Sequence, residues 1–255
     1  MWAWGREGHR IIASIAEQRL AATNPEALKV VRKLIGPRRS LADLSACADD
    51  IRDYGCRRMS SLSSDCLIDE RDIARYSATE SWHFINLPTA SRGSITSRIE
   101  FFTEQLGSNR LTNRTRAVAL MFLTHLVGDV HQPLHAISRN GDKGGNSVFV
   151  RIGRRVMTLH SAWDTFLVDG RSTLSFVDAD RRTSKSWAWE SFELARSIAY
   201  RGVPDRPSSP SNPIVLPSEY RSRAEVCIQR RLYVAGIRLA DLISNAVRAF
   251  PATGE

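Results

Sequence analysis

The stretch Phe122-Leu123-Thr124-His125-Leu126-Val127-Gly128-Asp129-Val130-His131-Gln132-Pro133-Leu134-His135 decides how the chain folds. Ala117, Leu120, Met121, Thr124, Leu126 and Val127 recur at helical spacing, which predicts a buried helix. His125 and Asp129 stand at i and i+4, so a helix puts them on one face with Cβ atoms about 5–6 Å apart. Burying an imidazole and a carboxylate in apolar surroundings is costly unless they pair or hold a cation. Pro133 stops or kinks the helix, and His135 follows as the chain changes direction.

A single His-x-x-x-Asp pair is more often a core histidine hydrogen-bonded to an aspartate than a functional site. Here the spacing recurs in Leu159-His160-Ser161-Ala162-Trp163-Asp164-Thr165. Five of the six histidines, His9, His83, His125, His135 and His160, lie beside glycine or apolar residues. Asp49, in Ala48-Asp49-Asp50-Ile51-Arg52, adds a third carboxylate. Histidine and aspartate without thiolates are the ligand set of zinc or a similar borderline cation.

Five short motifs follow one another in a set order: Trp4-Gly5-x-x-Gly8-His9, residues 48–52, His83-Phe84-Ile85-Asn86, residues 125–135 and residues 160–165. In type and order they resemble the zinc-dependent single-strand-specific nucleases, the nuclease S-one/P-one family, from residue 4 to about residue 165. The resemblance implies an all-α fold of the phospholipase C/nuclease P-one type. It would be one compact multi-helix domain over residues 4–250 with a small β-hairpin. It also implies three Zn2+. One would be held by Asp49, His83, His125 and Asp129, and a second by His135, His160 and Asp164. The third would take His9, a bridging Asp129 and the amine and carbonyl of Trp4. Asp49 would also orient the attacking water.

Further roles come with the resemblance, each beside a plainer reading. Arg52 matches the family's transition-state arginine, or it is a surface ion pair with Asp49 or Asp50. Phe84 matches the residue on which a nucleobase stacks, or it is a core aromatic. Gly145 and Asn146 match base-edge contacts, and Asn86 stands where fungal relatives carry aspartate. His131 has no metal role in the family and belongs either on the helix surface or behind the ligands. Trp163 is read as packing. The implied activity is cleavage of single-stranded DNA and RNA to 5′-phosphates, with 3′-nucleotidase activity as an extension, by an exported monomer. The alternatives are a zinc phospholipase C, whose last ligand pair is His-x-x-x-Glu, and a non-catalytic zinc-containing protein that binds nucleic acid.

Composition agrees without deciding. The 255 residues carry 36 basic against 27 acidic side chains, a net +9, which favours a polyanionic partner. Each arginine pair, such as Arg154-Arg155 or Arg230-Arg231, reads individually as a solvated face. No apolar run reaches the roughly 18–20 residues of a membrane-spanning helix. Cys56 and Cys66 flank a Ser-rich loop that a disulfide could close, and Cys47 is expected to be a buried free thiol. Met1-Trp2-Ala3 precedes Trp4, and a peptide nitrogen there would be a poor ligand. The expectation is that the mature chain begins at Trp4 and that residues 1–3 are a remnant or the end of a signal peptide.

Periodicity predicts a first helix from near Gly8 and a second after Thr23-Asn24-Pro25, ended by Gly36-Pro37. Further helices are expected over Leu41–Tyr54, Ile95–Leu106, Thr112–Val130, from residue 159, and over Ser218–Val247. Residues 56–80 read as a polar loop and 140–146 as a turn. Residues 148–152 and 155–157 read as a hairpin around Gly153. The stretch Pro204–Pro217 holds five prolines and reads as irregular.

Overall fold

The computed structural model describes residues 4–55, 62–68, 73–76, 78–89, 93–168 and 183–248. Helices dominate: α1 Arg6–Thr23, α2 Pro25–Ile35, α3 Leu41–Leu44, α4 Cys47–Gly55, α5 Ile95–Gly107, α6 Asn113–His131, α7 Leu159–Ser161, α8 Ser184–Leu194 and α9 Ser218–Arg248. α6 is the centre. Thr112 caps it by accepting the Thr115 N–H at 3.2 Å, and every residue from Ala117 to His131 is buried. A helix apolar on all sides has no solvent face, so it must be wrapped. α5 lies along it, α1 and α9 pack against it and against each other, and α8 covers its C-terminal end. Gly236 lets α1 and α9 meet closely, because a Cβ there would sit 2.6 Å from Ile15 Cβ.

The expected third helix is two. α3 opens with a capping box between Ser40 and Asp43, and the chain breaks at Ser45 and Ala46 before α4 begins. The stretch expected as a polar loop contains two short 3-10 turns, Ile73–Tyr76 and Glu80–His83. Its residues 56–61, 69–72 and 77 lie outside the described residues. After α6, Pro133–Ala136 forms a 3-10 turn whose Leu134 N–H is accepted by the Gln132 side chain at 2.6 Å.

The hairpin is present as β1 Phe149–Ile152 and β2 Arg155–Thr158, paired antiparallel with Ile152 opposite Arg155. Gly153 takes the left-handed turn position at φ +59°. A third strand, β3 Ile214–Val215, joins β1 in parallel inside the proline-rich stretch. Two residues are too short to give a periodic signal, so this strand was not legible.

The cysteine expectations are corrected. Cys47 bonds to Cys66, with Cα atoms 5.4 Å apart, so Cys47 is not a free thiol and Cys66 does not close a loop with Cys56. Cys56 lies outside the described residues, and Cys227 is the buried free thiol among them. A link across 19 positions restrains the unfolded chain by about 3 kcal/mol in the chain-entropy account. Among the described residues no helix is long and apolar enough to cross a membrane.

Behind the C-terminal end of α6 lies a polar network that the sequence did not suggest. Arg238 grips Glu190 with two hydrogen bonds of 2.6 and 2.8 Å, and Arg231 Nη1 donates to the same carboxylate at 2.9 Å. Arg231 Nε caps α6 by donating to the His131 carbonyl at 3.0 Å. His131 donates from Nδ1 to the Val127 carbonyl at 2.7 Å and accepts from Arg238 at Nε2 at 3.0 Å. Burial, with both arginines beside it, holds its pKa well below the ordinary histidine value. His131 is therefore a neutral buried residue behind the ligands, and its helix-surface reading is wrong.

Removing Glu190 leaves two buried guanidinium groups without their carboxylate, so Glu190→Ala should lower stability by about 3 kcal/mol at pH 7. Burial raises the Glu190 pKa, but its bonds to Arg238 and Arg231 outweigh that, and the pKa lies below the ordinary value of 4.5. The contribution is present above that value and is lost as pH falls through the depressed one. Urea unfolding of wild type and variant should differ most at neutral pH and converge in acid. An equal difference at both pH values would mean that the charge of Glu190 is not what holds the network.

Candidate metal centre

Eight histidine and aspartate side chains converge: His9 from α1, Asp49 from α4, His83 from the Glu80–His83 turn, His125 and Asp129 from α6, His135 from the Pro133–Ala136 turn, His160 from α7 and Asp164 from the π-turn Ala162–Phe166. All are buried. Their ligand atoms form three groups, each within 4.8 Å: His9, Asp49 and His125; His83, His125 and Asp129; and His135, His160 and Asp164. The first two share His125 and form one cluster.

Asp129 sits at the middle of that cluster. Its Oδ2 is 2.9 Å from His83 Nδ1 and 3.1 Å from His125 Nε2, while its Oδ1 is 3.2 Å from His9 Nε2. Asp49 Oδ1 lies 3.5 Å from His125 Nε2 and 3.7 Å from His83 Nδ1. The rings of His9 and His125 stack with centroids 3.9 Å apart. Gly128 makes this possible, since a Cβ there would meet His9 Nδ1 at 2.8 Å. In the other group, His160 Nε2 is 3.2 Å from both His135 Nε2 and Asp164 Oδ2. Gln132 Nε2 donates to Asp164 Oδ1 at 2.7 Å.

Backbone carbonyls set the ring orientations. Nδ1 of His125 donates to the Ser45 carbonyl at 2.8 Å, that of His135 to the His83 carbonyl at 2.7 Å, and that of His160 to the Gly144 carbonyl at 2.7 Å. Nε2 of each ring then faces its cluster, the arrangement in which an outer hydrogen bond fixes a metal-binding imidazole. The His83 segment is tied to the next turn by Ile85 N–H to the His135 carbonyl and Leu87 N–H to the Ala136 carbonyl.

The electrostatics are those of a cation site. Burial pushes His9 down to about 4, and it lowers His83 and His135 as well. Burial would also lower His125, but Asp129 and Asp49 drive it up to about 10. Asp49 and Asp129 stay well below the usual carboxylate range, because His125 outweighs the burial that would raise them. Burial raises Asp164, and the charges of Asp129 and Asp49 add to that against the opposing hydrogen bond from Gln132. Within the described residues both ring nitrogens of His9, Asp129 Oδ1 and Asp164 Oδ2 are buried without a hydrogen-bond partner. Such groups are costly to bury unless a cation joins them, so the donor set fits divalent metal.

The remaining candidates divide. Arg52 is 3% exposed, its Nη1 2.6 Å from Asp49 Oδ1 and its Nε 3.1 Å from Asp53 Oδ1, so it is a buried ion pair and not a surface one. Asp50 pairs with Arg6 instead. Trp4 is buried, and its indole N–H donates to the Gly128 carbonyl at 2.9 Å, beside Asp129. Half-buried Phe84 and exposed Asn86 line a cavity of about 90 Å³ with Leu134, Ile137, Ser138, Lys143 and Gly144. Gly145 and Asn146 belong to the adjoining turn: Gly145 is packed on Leu159, and Asn146 donates to the Lys143 carbonyl at 2.8 Å. Trp163 is packing, as expected, with its N–H on the Tyr220 hydroxyl at 2.8 Å. Sequence reasoning missed Gln132, Ser45 and Asp53. Gln132 carried a signal, a polar residue inside the His-rich run, but nothing said what it faced.

Fold and clusters together define an all-α protein built around a His/Asp metal-binding centre. The model of the S1/P1 nucleases matches residues 4–176, and the chain belongs to that family, a hydrolase of the nuclease class. Endonuclease 2 of Arabidopsis thaliana is 28% identical over 290 residues, covering 95% of this chain and 90% of the relative. Nuclease P1 of Penicillium citrinum is 30% identical over 64% of this chain and 58% of its own length. Nuclease S1 of Aspergillus oryzae is 29% identical over 64% and 54%.

Gly128→Ala tests the packing of the centre. The added methyl must push His9 away from Asp129 or spread α1 from α6, at about 1–3 kcal/mol. The expected result is a lower melting temperature and fewer bound metal ions per chain, counted by elemental analysis after dialysis. An unchanged metal count would mean that His9 takes no part in binding.

Proposed function

We propose that the chain hydrolyses phosphodiester bonds of single-stranded DNA and RNA to 5′-phosphate products, with 3′-nucleotidase activity at the same centre. The observation that carries the reading is the divided carboxylate of Asp129, one oxygen toward His9 and the other toward His83 and His125, beside the separate His135, His160 and Asp164 group. That pattern suits three zinc ions. Asp49, His83, His125 and Asp129 would hold one, and His135, His160 and Asp164 a second. His9, Asp129 and, in a mature chain that begins at Trp4, the amine and carbonyl of Trp4 would hold the third.

Divalent ions so held supply an activated water and neutralise charge on the phosphate. The protein's own groups do the rest. Asp49, fixed by Arg52 at 2.6 Å, orients the attacking water. Arg52 meets the phosphate oxygens as their charge grows, a task that suits a planar guanidinium held rigid by Asp49 and Asp53. Phe84 stacks an unpaired base against the small cavity it lines, which selects single strands. Asn86, Gly145 and Asn146 meet the base edge. Asn86 both donates and accepts, where aspartate would only accept, so it tolerates either kind of edge. The chain works as an exported monomer.

Two variants test this reading. Asp129→Ala should remove two of three zinc ions, and an unchanged elemental count would refute the bridging role. Phe84→Ala should slow cleavage of single-stranded DNA about tenfold or more, in line with about 1–3 kcal/mol per stacked base, while the exposed Arg10→Ala changes it little. Equal effects would make Phe84 a core residue. Hydrolysis of phosphatidylcholine with no action on single-stranded DNA would overturn the substrate assignment.

A further inference from the structure

Gln132 is buried, and both ends of its amide are engaged. Its oxygen accepts the Leu134 N–H at 2.6 Å and its nitrogen donates to Asp164 Oδ1 at 2.7 Å. The orientation of the amide follows from chemistry. A backbone N–H can only donate, so the oxygen must face Leu134 and the NH2 must face the carboxylate. The first bond caps the Pro133–Ala136 turn that carries His135. The second reaches 32 positions along the chain to a ligand on the π-turn. One side chain thus joins two of the three members of the His135, His160 and Asp164 group.

The two aspartates of the i, i+4 pairs differ in this respect. Both oxygens of Asp129 face histidines. Asp164 has one oxygen held by Gln132, which leaves only Oδ2, 3.2 Å from His160 Nε2 and otherwise without a partner among the described residues. We propose that Gln132 is a positioning residue that makes Asp164 a one-oxygen ligand and sets the divalent-metal affinity of the His135–His160–Asp164 group separately from that of the Asp129 cluster. The proposal rests on reading that group as a metal site. It does not rest on the nuclease assignment, because its measurement is metal retention and not turnover.

The test is zinc retention against graded chelator, counted by elemental analysis, for wild type, Gln132→Glu, the double variant Gln132→Glu/Asp164→Asn, and His160→Ala. Gln132→Glu keeps length and an acceptor for Leu134 but presents no donor to Asp164. It should release one metal equivalent at about 10–100-fold lower chelator while the rest leave as in wild type, the range expected when an outer partner of a ligand is lost. The double variant restores a hydrogen bond of reversed polarity and keeps a carbonyl oxygen toward the group. It should recover part of that retention, which a merely structural lesion would not. Wild-type retention in Gln132→Glu, or loss of all equivalents together, overturns the positioning role. Full metal retention in His160→Ala overturns the underlying site, and Gln132 with it.

Discussion

Burial of the Asp129 carboxylate in α6, a helix buried on every side from Ala117 to His131, is the constraint on which the rest depends. An isolated buried charge costs several kcal/mol even after relaxation, a large part of the roughly 5–15 kcal/mol that keeps a domain folded. Asp129 can ionise there because His125 stands one turn before it and His9 and His83 reach it from two other segments. Those contacts draw α1 and the Glu80–His83 turn onto α6, and Asp49 brings α4 to the same point. The apolar remainder of α6 is wrapped by α5, α8 and α9, so core and site share one helix. Its surroundings are specified twice, once by hydrophobic burial and once by charge.

How much of this is legible in the sequence depends on how local the cause is. The buried helix, the two His-x-x-x-Asp pairs and the hairpin follow from periodicity and residue type, because each is decided within one short stretch, whereas the gathering of ligands from residue 9 to residue 164 comes from the family resemblance. The long-range pairings are not decided so locally. Cys47 and Cys66 look like a thiol and a loop-closing cysteine until the fold brings their Cα atoms to 5.4 Å. Arg231 reads as part of a solvated arginine pair, and only the docking of α8 and α9 on α6 joins it with Glu190 and Arg238 in a buried network. β3 exists only because β1 offers it an edge. Gln132 was in view throughout, but its partner Asp164 could not be assigned without coordinates.

The irregular segments have a chemical reason. A carbonyl inside a regular helix already accepts the N–H four residues on, so it is poorly available to orient a histidine. The three carbonyls that receive the Nδ1 protons of His125, His135 and His160 belong to Ser45, His83 and Gly144. Ser45 stands at the break between α3 and α4, His83 ends a 3-10 turn, and Gly144 lies in a turn at φ +63°. Had Leu41–Tyr54 formed the single helix its periodicity suggests, the Ser45 carbonyl would be engaged by the backbone and His125 would lose its anchor. The positions where periodicity mispredicts the backbone are therefore among those that aim the ligands. The regular helix supplies the positions of His125 and Asp129, and the breaks around it supply the acceptors that fix which nitrogen of each ring faces the cluster.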